Sequence, residues 1–566
     1  MNTSAMSAGW DVEVDFVSIG SGIGGLAGAI TAYDQGMSTV VLEKAALVGG
    51  VTAYSYGEVW VAANHLQEAA GIEDSQESGL RYCEWLSMGF GDEEQIRNYI
   101  VHSPIALKYF EERAGLRWHI CKDFADYYWP QHEDTLEQGR FIEVEPFPAA
   151  SLGEWQEKSR MSPHAPPGVT HDDMFEQGGA ANILNWDFEA MGERMEKDER
   201  TLGPGLAAYF VKAALDRQIP LYTETPAVAL VTEGDRVIGV KAQRDGKDFF
   251  VRADKGVLIA AGSYDGSSRF DHLYDHRGSR MVSAVPPSVT GDNLILGGSV
   301  GAMVGQVPTP HWLGFHIPGE EHDGVPLWRM SIIETGLPHG ILVNQSGRRF
   351  GDESFYRTIG HNSTIIEGGD QTLPNVPCWF VFDSQYHEKY PLGSLLPGQA
   401  YPDGLAVEAD TIGELAEKLE IDPAALEAEV EKFNGFAEEG VDQDFHRGEK
   451  AWAQFLCGDR SHKPNPCMGT LEKGPFYAIE QGVIGIGMAS LGIVGDIHGR
   501  ALGYDNEPIE GLYVAGNTMA RMDNGAGYQS GMMNGRGMTF GYLAARHAAG
   551  DPSVELGSPT SGAVAT

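Results

Sequence analysis

A glycine-rich turn near the start of the chain has the spacing of a nucleotide-binding loop. Gly20, Gly22 and Gly25 form a G-x-G-x-x-G pattern directly after the apolar run 12–19. In such a pattern the first glycine allows a tight turn, the second lets the backbone approach a pyrophosphate, and the third lets a helix pack close to the strand. The pyrophosphate then lies at the helix N-terminus, where free amides and the helix dipole favour an anion. We therefore expect a dinucleotide to bind here.

An acidic residue follows at the distance that this kind of site requires. Glu43 comes directly after a second short apolar run, 38–42, and stands 18 residues after Gly25. A carboxylate in this place accepts hydrogen bonds from the hydroxyl groups of a ribose. The strand, turn, helix, strand and acid agree with one another, and Gly24 and Lys44 are predicted to belong to the same site.

Later segments are expected to return to this nucleotide. A second glycine-rich loop lies at 49–55, and two apolar runs, 256–262 and 511–517, contain glycine at or near their ends. Because the first and last hundred residues both contribute to one site, the predicted cofactor is FAD rather than NAD(P)H. The residues expected to line it from these segments and from the strand region 221–262 are Gly50, Thr52, Ala53, Ser55, Val228, Gly262, Gly516 and Asn517.

A parallel sheet is needed to bring these loops together. The apolar runs 12–19, 38–42, 257–261 and 512–514 are short and rich in β-branched residues, which is typical of buried parallel strands. A helical pattern over 26–35 follows the first glycine turn and completes a strand–turn–helix–strand unit. The sequence therefore predicts an α/β fold with a Rossmann-like nucleotide-binding domain.

Composition excludes several functional classes. The 566 residues include 40 Lys and Arg against 80 Asp and Glu, a formal net charge of −40, so binding to nucleic acid or to an anionic membrane surface is not expected. The five cysteines lack CxxC spacing, which argues against a disulfide framework, a structural metal site or an iron–sulfur cluster. We find no membrane span and no secretory signal, and therefore predict a cytoplasmic protein with no metal site. Residues 553–566 are expected to form a flexible tail.

Motifs spread over nearly the whole chain resemble those of the FAD-dependent 3-ketosteroid Δ1-dehydrogenase family, within the fumarate reductase and succinate dehydrogenase flavoprotein superfamily. The similar segments are GSGIGG (20–25), VVLEK (40–44), GGVTAYS (49–55), ADYYWP (125–130), GILVNQSGRRFGDES (340–354), EKFNGFAEEGVDQDFHRG (431–448), GPFYAI (474–479) and GLYVAGNTMA (511–520). The resemblance implies a Rossmann-like FAD-binding domain at 1–290 and 474–552, interrupted by an α+β catalytic capping domain at 291–473. It also implies non-covalent FAD, because no histidine stands where some relatives attach the flavin.

The family's reaction removes two hydrogens from neighbouring carbons beside a ring ketone. A tyrosine takes the α-proton, FAD takes the β-hydride, and a second tyrosine with a backbone amide holds the ketone oxygen. The resemblance places Tyr127 at the family's first active-site tyrosine, Tyr528 at the ketone-binding tyrosine, and Met532 at the amide, where the family has glycine. Donors on the ketone oxygen stabilise the enolate that forms as the α-proton leaves.

The position of the family's base departs from the pattern. Where the steroid branch has its base tyrosine, this chain has Arg357, with Tyr356 just before it; the fumarate reductase branch uses an arginine there as a proton shuttle. Two roles stay open: Tyr356 is the base and the charge of Arg357 lowers its pKa, or Arg357 itself transfers the proton or binds a substrate carboxylate. A third interpretation makes Arg357 a structural ion-pair partner of Asp352 or Glu353.

The favoured function is a flavin-dependent dehydrogenase that introduces a carbon–carbon double bond next to the ketone of a steroid or a smaller alicyclic ring. The alternative is a fumarate-reductase-like ene reductase with Arg357 as proton donor; no motif favours a third class, a flavoprotein electron carrier. The expected partners are a small hydrophobic cyclic ketone and an unidentified electron acceptor. The segment GIGMASLG (485–492) replaces the family's LGTKGG element, which leaves the substrate and the bond that is desaturated open.

Overall fold

The computed structural model describes residues 9–273, 282–308, 312–488 and 490–551, and its helices and strands are numbered along the chain. The helices are α1 (Ile23–Asp34), α2 (Gly50–Tyr54), α3 (His65–Ala70), α4 (Gln76–Leu86), α5 (Glu93–Ala114), α6 (His171–Glu176), α7 (Phe188–Glu196), α8 (Leu202–Asp216), α9 (Asp292–Gly298), α10 (Tyr356–Asn362), α11 (Ser384–Lys389), α12 (Ile412–Lys418), α13 (Pro423–Glu439), α14 (Ala451–Leu456) and α15 (Met532–Ala548). The strands are β1 (Val12–Ile19), β2 (Thr39–Leu42), β3 (Val59–Trp60), β4 (Trp118–Ile120), β5 (Phe141–Val144), β6 (Phe147–Pro148), β7 (Glu199–Arg200), β8 (Leu221–Tyr222), β9 (Ala227–Glu233), β10 (Arg236–Arg244), β11 (Lys247–Ile259), β12 (Val282–Ser283), β13 (Val304–Gln306), β14 (Trp312–His322), β15 (Val325–Met330), β16 (Gly340–Asn344), β17 (Cys378–Asp383), β18 (Val407–Ala409), β19 (Phe476–Gly485), β20 (Leu491–Ile493), β21 (Arg500–Leu502) and β22 (Pro508–Val514).

The first sheet is the predicted nucleotide-binding sheet. Its order is β21-β22-β11-β1-β2-β8, and the hairpin strands β9 and β10 extend β11. The pairs β1–β2, β1–β11, β11–β22 and β2–β8 are all parallel. Strands from both ends of the chain therefore lie side by side, and their carboxyl ends meet at one edge of the sheet. The predicted α/β class with a Rossmann-like domain is confirmed.

A second sheet forms the core of the capping domain. Its order is β15-β14-β19-β17-β16, and β12 and β18 also pair with β19. The predicted boundaries of this domain, 291 and 473, each exclude a strand of this sheet, because β12 and β19 lie outside them. β19 pairs antiparallel with β17 through residues 476–481 and with β14 through residues 482–484, so the second sheet includes chain on both sides of the predicted boundary at 473.

Two closely packed helices, α1 and α15, lie at the nucleotide-binding edge of the first sheet. Helix α1 is buried from Ile23 to Ala32 between the first sheet and α15. A Cβ atom at Gly541 of α15 would collide with the carbonyl oxygen of Gly24, so the two backbones approach as closely as glycine allows. The start of α15 is thereby fixed beside the glycine turn that follows β1.

A membrane-spanning helix is not found in the described part of the chain, since none of its helices is long and apolar enough.

Candidate active site

A cavity of about 600 Å³ runs from the carboxyl edge of the first sheet to the second sheet. Its lining includes the ends of β1 and β2, the segment after β11 and the segment after β22. The expected cofactor residues that line it are Gly20, Gly22, Gly24, Glu43, Lys44, Gly50, Thr52, Ser55, Gly262, Gly516 and Asn517. Of the expected catalytic residues, Tyr127, Tyr356 and Tyr528 line the same cavity.

The glycine turn has the geometry that a pyrophosphate site needs. Gly20 has a φ of 103°, in the left-handed region, and a Cβ atom at Gly25 would collide with the carbonyl oxygen of Gly20. Both positions therefore require glycine for the turn itself. Gly22 differs, because an added Cβ atom would meet only the Oγ1 atom of Thr52, at 3.7 Å. Since Gly22 also lines the cavity, its missing side chain leaves room for a ligand.

Glu43 closes the other side of this turn. Its carboxylate accepts hydrogen bonds from the amide of Ser21 at 3.0 Å and from the amide of Ala45 at 2.8 Å. The side chain is buried and lines the cavity, so it is held where a ribose hydroxyl can reach it. Lys44 follows and forms a salt bridge with Asp292 at 2.9 Å, which balances its charge at the cavity wall.

The N-terminus of α15 contributes donors that the sequence analysis missed. The helix begins after Gly531, whose φ is 81°. Met533 and Asn534, the second and third residues of the helix, line the cavity, and the amides of a first helical turn have no partner within the helix. They can bind an oxygen atom of a ligand, helped by the helix dipole. The signal available in the sequence was the glycine that starts this helix.

Met532 lies differently from its predicted role. Its amide donates a hydrogen bond to the carbonyl oxygen of Gln529 at 3.2 Å, and the residue is not part of the cavity lining. Three expected cofactor residues also lie off the lining: Gly25, Ala53 and Val228. Gly25 packs against the turn, Ala53 is buried within α2, and the Val228 side chain is exposed while its neighbour Ala227 faces the cavity. The alternation of side chains along β9 explains this last difference.

Three tyrosines from distant segments meet at the second-sheet end of the cavity. The hydroxyl oxygens of Tyr127 and Tyr356 are 2.7 Å apart. The ring centroid of Tyr528 lies 6.1 Å from that of Tyr127 and 6.4 Å from that of Tyr356. Trp312 and Trp452 pack around them, Trp452 at 4.4 Å from Tyr127 between ring centroids. The arrangement places three phenol groups in one aromatic wall of the cavity.

Burial governs the protonation of these tyrosines. It raises the pKa of Tyr356 and of Tyr127 well above the usual value for a phenol. It also raises the pKa of Tyr528, to about 12. A hydrogen bond with the Ser530 hydroxyl lowers the pKa of both Tyr127 and Tyr528. Ser530 lines the cavity as well, and sequence analysis did not single it out.

Arg357 lies behind the aromatic wall rather than in the cavity. It is buried and absent from the cavity lining. Its Nη2 atom lies 3.1 Å from Nε2 of His361 and 3.4 Å from the carbonyl oxygen of Ala526, and its guanidinium carbon is 5.6 Å from the ring centroid of Tyr528. Consecutive residues in a helix point about 100° apart, so at the start of α10 Tyr356 faces the cavity while Arg357 does not.

The interpretation of Arg357 as an ion-pair partner of Asp352 or Glu353 is wrong, because no such pair forms among the described residues. Glu353 instead pairs with Arg349 at 2.6 Å, and Asp352 pairs with Lys450 at 3.6 Å. The Nε and Nη1 atoms of Arg357 are buried without a hydrogen-bond partner among the described residues. Burial has the largest effect on the pKa of Tyr356 and raises it, as do the neighbouring Tyr127 and Tyr528. The positive charge of Arg357 lowers this pKa.

Comparison with known proteins gives the cavity a context. A family model described as FAD binding domain matches residues 15–532. The 3-oxosteroid 1-dehydrogenase of Mycolicibacterium smegmatis is 32% identical over 561 residues, which cover 94% of this chain and 96% of that protein. The 4-oxocyclohexanecarboxylate 2-dehydrogenase of Sinomonas cyclohexanicum is 34% identical over 549 residues, with coverage of 95% and 93%.

Solved structures agree with these sequence relatives. A 3-ketosteroid delta1-dehydrogenase from Sterolibacterium denitrificans, in complex with 1,4-androstadiene-3,17-dione, has a TM-score of 0.87 at 29% identity. The match covers 95% of this chain and 99% of that chain. A flavocytochrome c3 fumarate reductase has a TM-score of 0.64 at 19% identity over 97% of this chain and 80% of that chain, which shows a shared fold.

The described residues fit FAD. The turn leaves space at Gly22 for a pyrophosphate, Glu43 presents a fixed carboxylate, and α15 directs its N-terminus into the same cavity. The predicted cofactor is confirmed by the family match. The chain thus belongs to the FAD binding domain family and is an FAD-dependent oxidoreductase of the 3-ketosteroid dehydrogenase family.

Proposed function

We propose that the protein dehydrogenates a cyclic ketone at the carbon–carbon bond next to its carbonyl group. The observation that carries this proposal is the hydrogen-bonded pair of Tyr127 and Tyr356, 2.7 Å apart, in a cavity shared with the nucleotide-binding turn. Phenol groups in an apolar wall suit a substrate whose reacting group is a carbonyl rather than an anion. Two relatives named above act on a 3-oxosteroid and on 4-oxocyclohexanecarboxylate, both of which are ring ketones.

Each tyrosine has a separate role in this reaction. The hydroxyl group of Tyr528 donates to the ketone oxygen and stabilises the negative charge that builds there. Tyr356 removes the α-proton, and Tyr127 accepts a hydrogen bond from the Tyr356 hydroxyl or donates one to it. FAD, when bound, supplies the acceptor for the β-hydride. The apolar wall around the tyrosines excludes water, which strengthens these interactions.

Arg357 supports this assignment through its position. The guanidinium group lies behind Tyr528 and outside the cavity lining, so it reaches the tyrosines by its charge. The charge of Arg357 lowers the pKa of Tyr356, which favours the partial phenolate that forms on Tyr356 during proton transfer. An ene reductase with Arg357 as proton donor requires the guanidinium to face the substrate, and the described geometry favours the tyrosine instead.

We further propose that FAD is bound without a covalent bond. Acid precipitation of the purified protein should release all yellow colour into the supernatant. Flavin that stays with the precipitated polypeptide contradicts this.

The test of the proposed function is anaerobic mixing of the flavin-loaded protein with a ring ketone. With 4-androstene-3,17-dione or 4-oxocyclohexanecarboxylate we expect bleaching of the flavin absorbance and a product with one more carbon–carbon double bond. An artificial electron acceptor should then allow continued turnover. Failure of both ketones to bleach the flavin, together with reduction of fumarate or an enone by the chemically reduced protein, favours the ene reductase.

A further inference from the structure

A buried glutamine links the two segments that carry Tyr127 and Tyr528. Gln529 follows Tyr528 directly in the chain. Tyr528 lines the cavity, whereas Gln529 is fully buried and is not part of the cavity lining. The two neighbours therefore point in different directions, Tyr528 into the cavity and Gln529 into the protein behind it.

The side-chain oxygen of Gln529 accepts two hydrogen bonds. The main-chain amide of Tyr127 donates to Oε1 at 3.2 Å, and the hydroxyl group of Tyr82 donates to the same atom at 2.5 Å. A main-chain amide can only donate, so the Gln529 atom that faces it must be the oxygen. Among the described residues, Gln529 is the only hydrogen-bond partner of the Tyr127 amide. A single side chain therefore holds this part of the Tyr127 backbone.

The backbone of Gln529 is itself fixed to a helix. Its carbonyl oxygen accepts a hydrogen bond at 3.2 Å from the amide of Met532, the first residue of α15. Loss of the side-chain oxygen leaves this main-chain bond in place. We therefore expect such a loss to displace Tyr127 rather than Tyr528.

The turn that carries Tyr127 has a separate anchor at the residue before it. The carboxylate of Asp126 accepts a hydrogen bond from Nη1 of Arg140 at 2.9 Å, and both side chains are buried. This ion pair joins the turn to the start of β5, whereas the bond to Gln529 joins it to the segment that carries Tyr528. The second bond is the one that relates the two tyrosines to each other.

The proposed reaction depends on this relation. The hydroxyl oxygens of Tyr127 and Tyr356 are 2.7 Å apart, and the ring centroids of Tyr127 and Tyr528 are 6.1 Å apart. Tyr356 has to reach the α-carbon of the substrate while Tyr528 holds the oxygen of the adjacent carbonyl group. Misplacement of a reacting group by about 1 Å can cost about 100-fold in rate.

We propose that Gln529 is a positioning residue that fixes Tyr127 relative to Tyr528 and, through the hydrogen bond between Tyr127 and Tyr356, aims the Tyr356 hydroxyl group at the α-carbon of the substrate. This inference rests on the proposed dehydrogenation, because that reaction is what assigns Tyr356 and Tyr528 to adjacent substrate atoms.

The first test is single-turnover bleaching of the flavin-loaded protein by 4-androstene-3,17-dione and by 4-oxocyclohexanecarboxylate. Gln529→Met keeps an unbranched side chain of similar length and removes the acceptor oxygen. It should slow bleaching about 100-fold. The ketone concentration that gives half the maximal rate should change little, because Gln529 does not line the cavity.

Tyr82→Phe is the matched control. It removes the other hydrogen bond to the same Gln529 oxygen and leaves the bond from the Tyr127 amide in place. Its bleaching rate should stay close to that of the unaltered protein. A Tyr82→Phe variant as slow as Gln529→Met contradicts the proposal, because the effect would then not depend on the Tyr127 amide.

A double-mutant cycle separates positioning from a general structural role. Tyr127→Phe removes the hydroxyl group through which Gln529 is proposed to act, and it keeps the amide. Gln529→Met should therefore slow the Tyr127→Phe protein much less than it slows the unaltered protein. In the Tyr528→Phe protein Gln529→Met should keep its full effect, because Tyr528 is not the residue that is displaced.

Flavin content and the thermal unfolding midpoint of each variant report whether the protein is folded. If Gln529→Met loses its flavin, Gln529→Asn takes its place in the same cycle, since it keeps the amide but withdraws it by one methylene group. Equal slowing of the unaltered and Tyr127→Phe proteins, or no slowing of either, refutes the positioning role alone. Failure of both ketones to bleach the unaltered protein refutes the proposed function, and the positioning role with it.

Discussion

The two ends of the cavity are built by different means. At the nucleotide end, the turn from Gly20 to Gly25 and the N-terminus of α15 present backbone, and the space at Gly22 is defined by a missing side chain. At the tyrosine end, phenol and indole side chains from separate segments form the wall. Binding of the cofactor therefore depends on backbone shape, whereas chemistry on the substrate depends on individual side-chain atoms.

This difference predicts how each end responds to substitution. A side chain added at the nucleotide end should remove the cofactor while the fold persists. Atoms removed at the tyrosine end should leave the cofactor in place and change only rates.

The largest effect is expected from Gly22→Val. The added Cβ atom has one neighbour within 4 Å, the Oγ1 atom of Thr52 at 3.7 Å, so we expect the chain to fold. The new side chain occupies the space left for the pyrophosphate, so the purified protein should be colourless, as judged by flavin absorbance. Gly25→Ala is the matched control: its Cβ atom collides with the carbonyl oxygen of Gly20, and its unfolding midpoint should fall as well. A Gly22→Val protein with a full complement of flavin places the pyrophosphate elsewhere.

The nucleotide end could be predicted from sequence because its parts are local. Gly20, Gly22 and Glu43 belong to one strand–turn–helix–strand unit, and the distance between them fixes their arrangement. The predictions for Ala53 and Val228 came from segments without such a unit, and both side chains lie off the cavity lining. β19 pairs with β14 and β17 over long separations in sequence, a relation that no local pattern reveals, so the boundary at 473 stays a prediction.

The tyrosine end could be predicted only through family resemblance. Tyr127, Tyr356 and Tyr528 are separated by more than a hundred residues each, and no spacing rule connects them. Ser530 carries no sequence motif, so only the folded chain shows it on the cavity wall. Arg357 adjoins Tyr356 in sequence, yet helix geometry turns it away from the cavity.

At the tyrosine end the largest effect is expected from Tyr356→Phe. The variant keeps the ring among Trp312 and Trp452 but removes the hydroxyl group bonded to Tyr127. Loss of the proton-accepting group should slow single-turnover flavin bleaching by about 100- to 10,000-fold, with flavin still bound. A variant that bleaches as fast as the unaltered protein removes Tyr356 from the reaction.

A smaller loss is expected from Tyr528→Phe. This change removes one donor to the ketone oxygen and keeps the ring beside Arg357. Loss of one such donor typically costs about 100-fold in turnover. The steady-state rate with an artificial acceptor measures this, and the KM for the ketone should change less than kcat, because the bond strengthens as the enolate forms. An unchanged kcat assigns the ketone oxygen to other donors, of which the amides of Met533 and Asn534 are the nearest candidates in the helix.

The smallest effect is expected from Arg357→Lys, and it decides between the two roles that the sequence leaves open. The lysine keeps a positive charge behind Tyr528 but cannot reproduce both contacts of the guanidinium, to His361 and to the Ala526 carbonyl oxygen. If the charge acts through the tyrosines, the rate should fall about tenfold, equivalent to about 1.4 kcal/mol of transition-state stabilisation. Arg357→Gln removes the charge that lowers the pKa of Tyr356, so it should be slower than Arg357→Lys. If Arg357 is instead the proton shuttle, both variants should be as slow as or slower than Tyr356→Phe at every pH. That ranking would identify Arg357 as the residue that transfers the proton and would favour the ene reductase. A small loss of rate in Arg357→Lys together with a large loss in Tyr356→Phe instead identifies the tyrosines as the residues that transfer the proton.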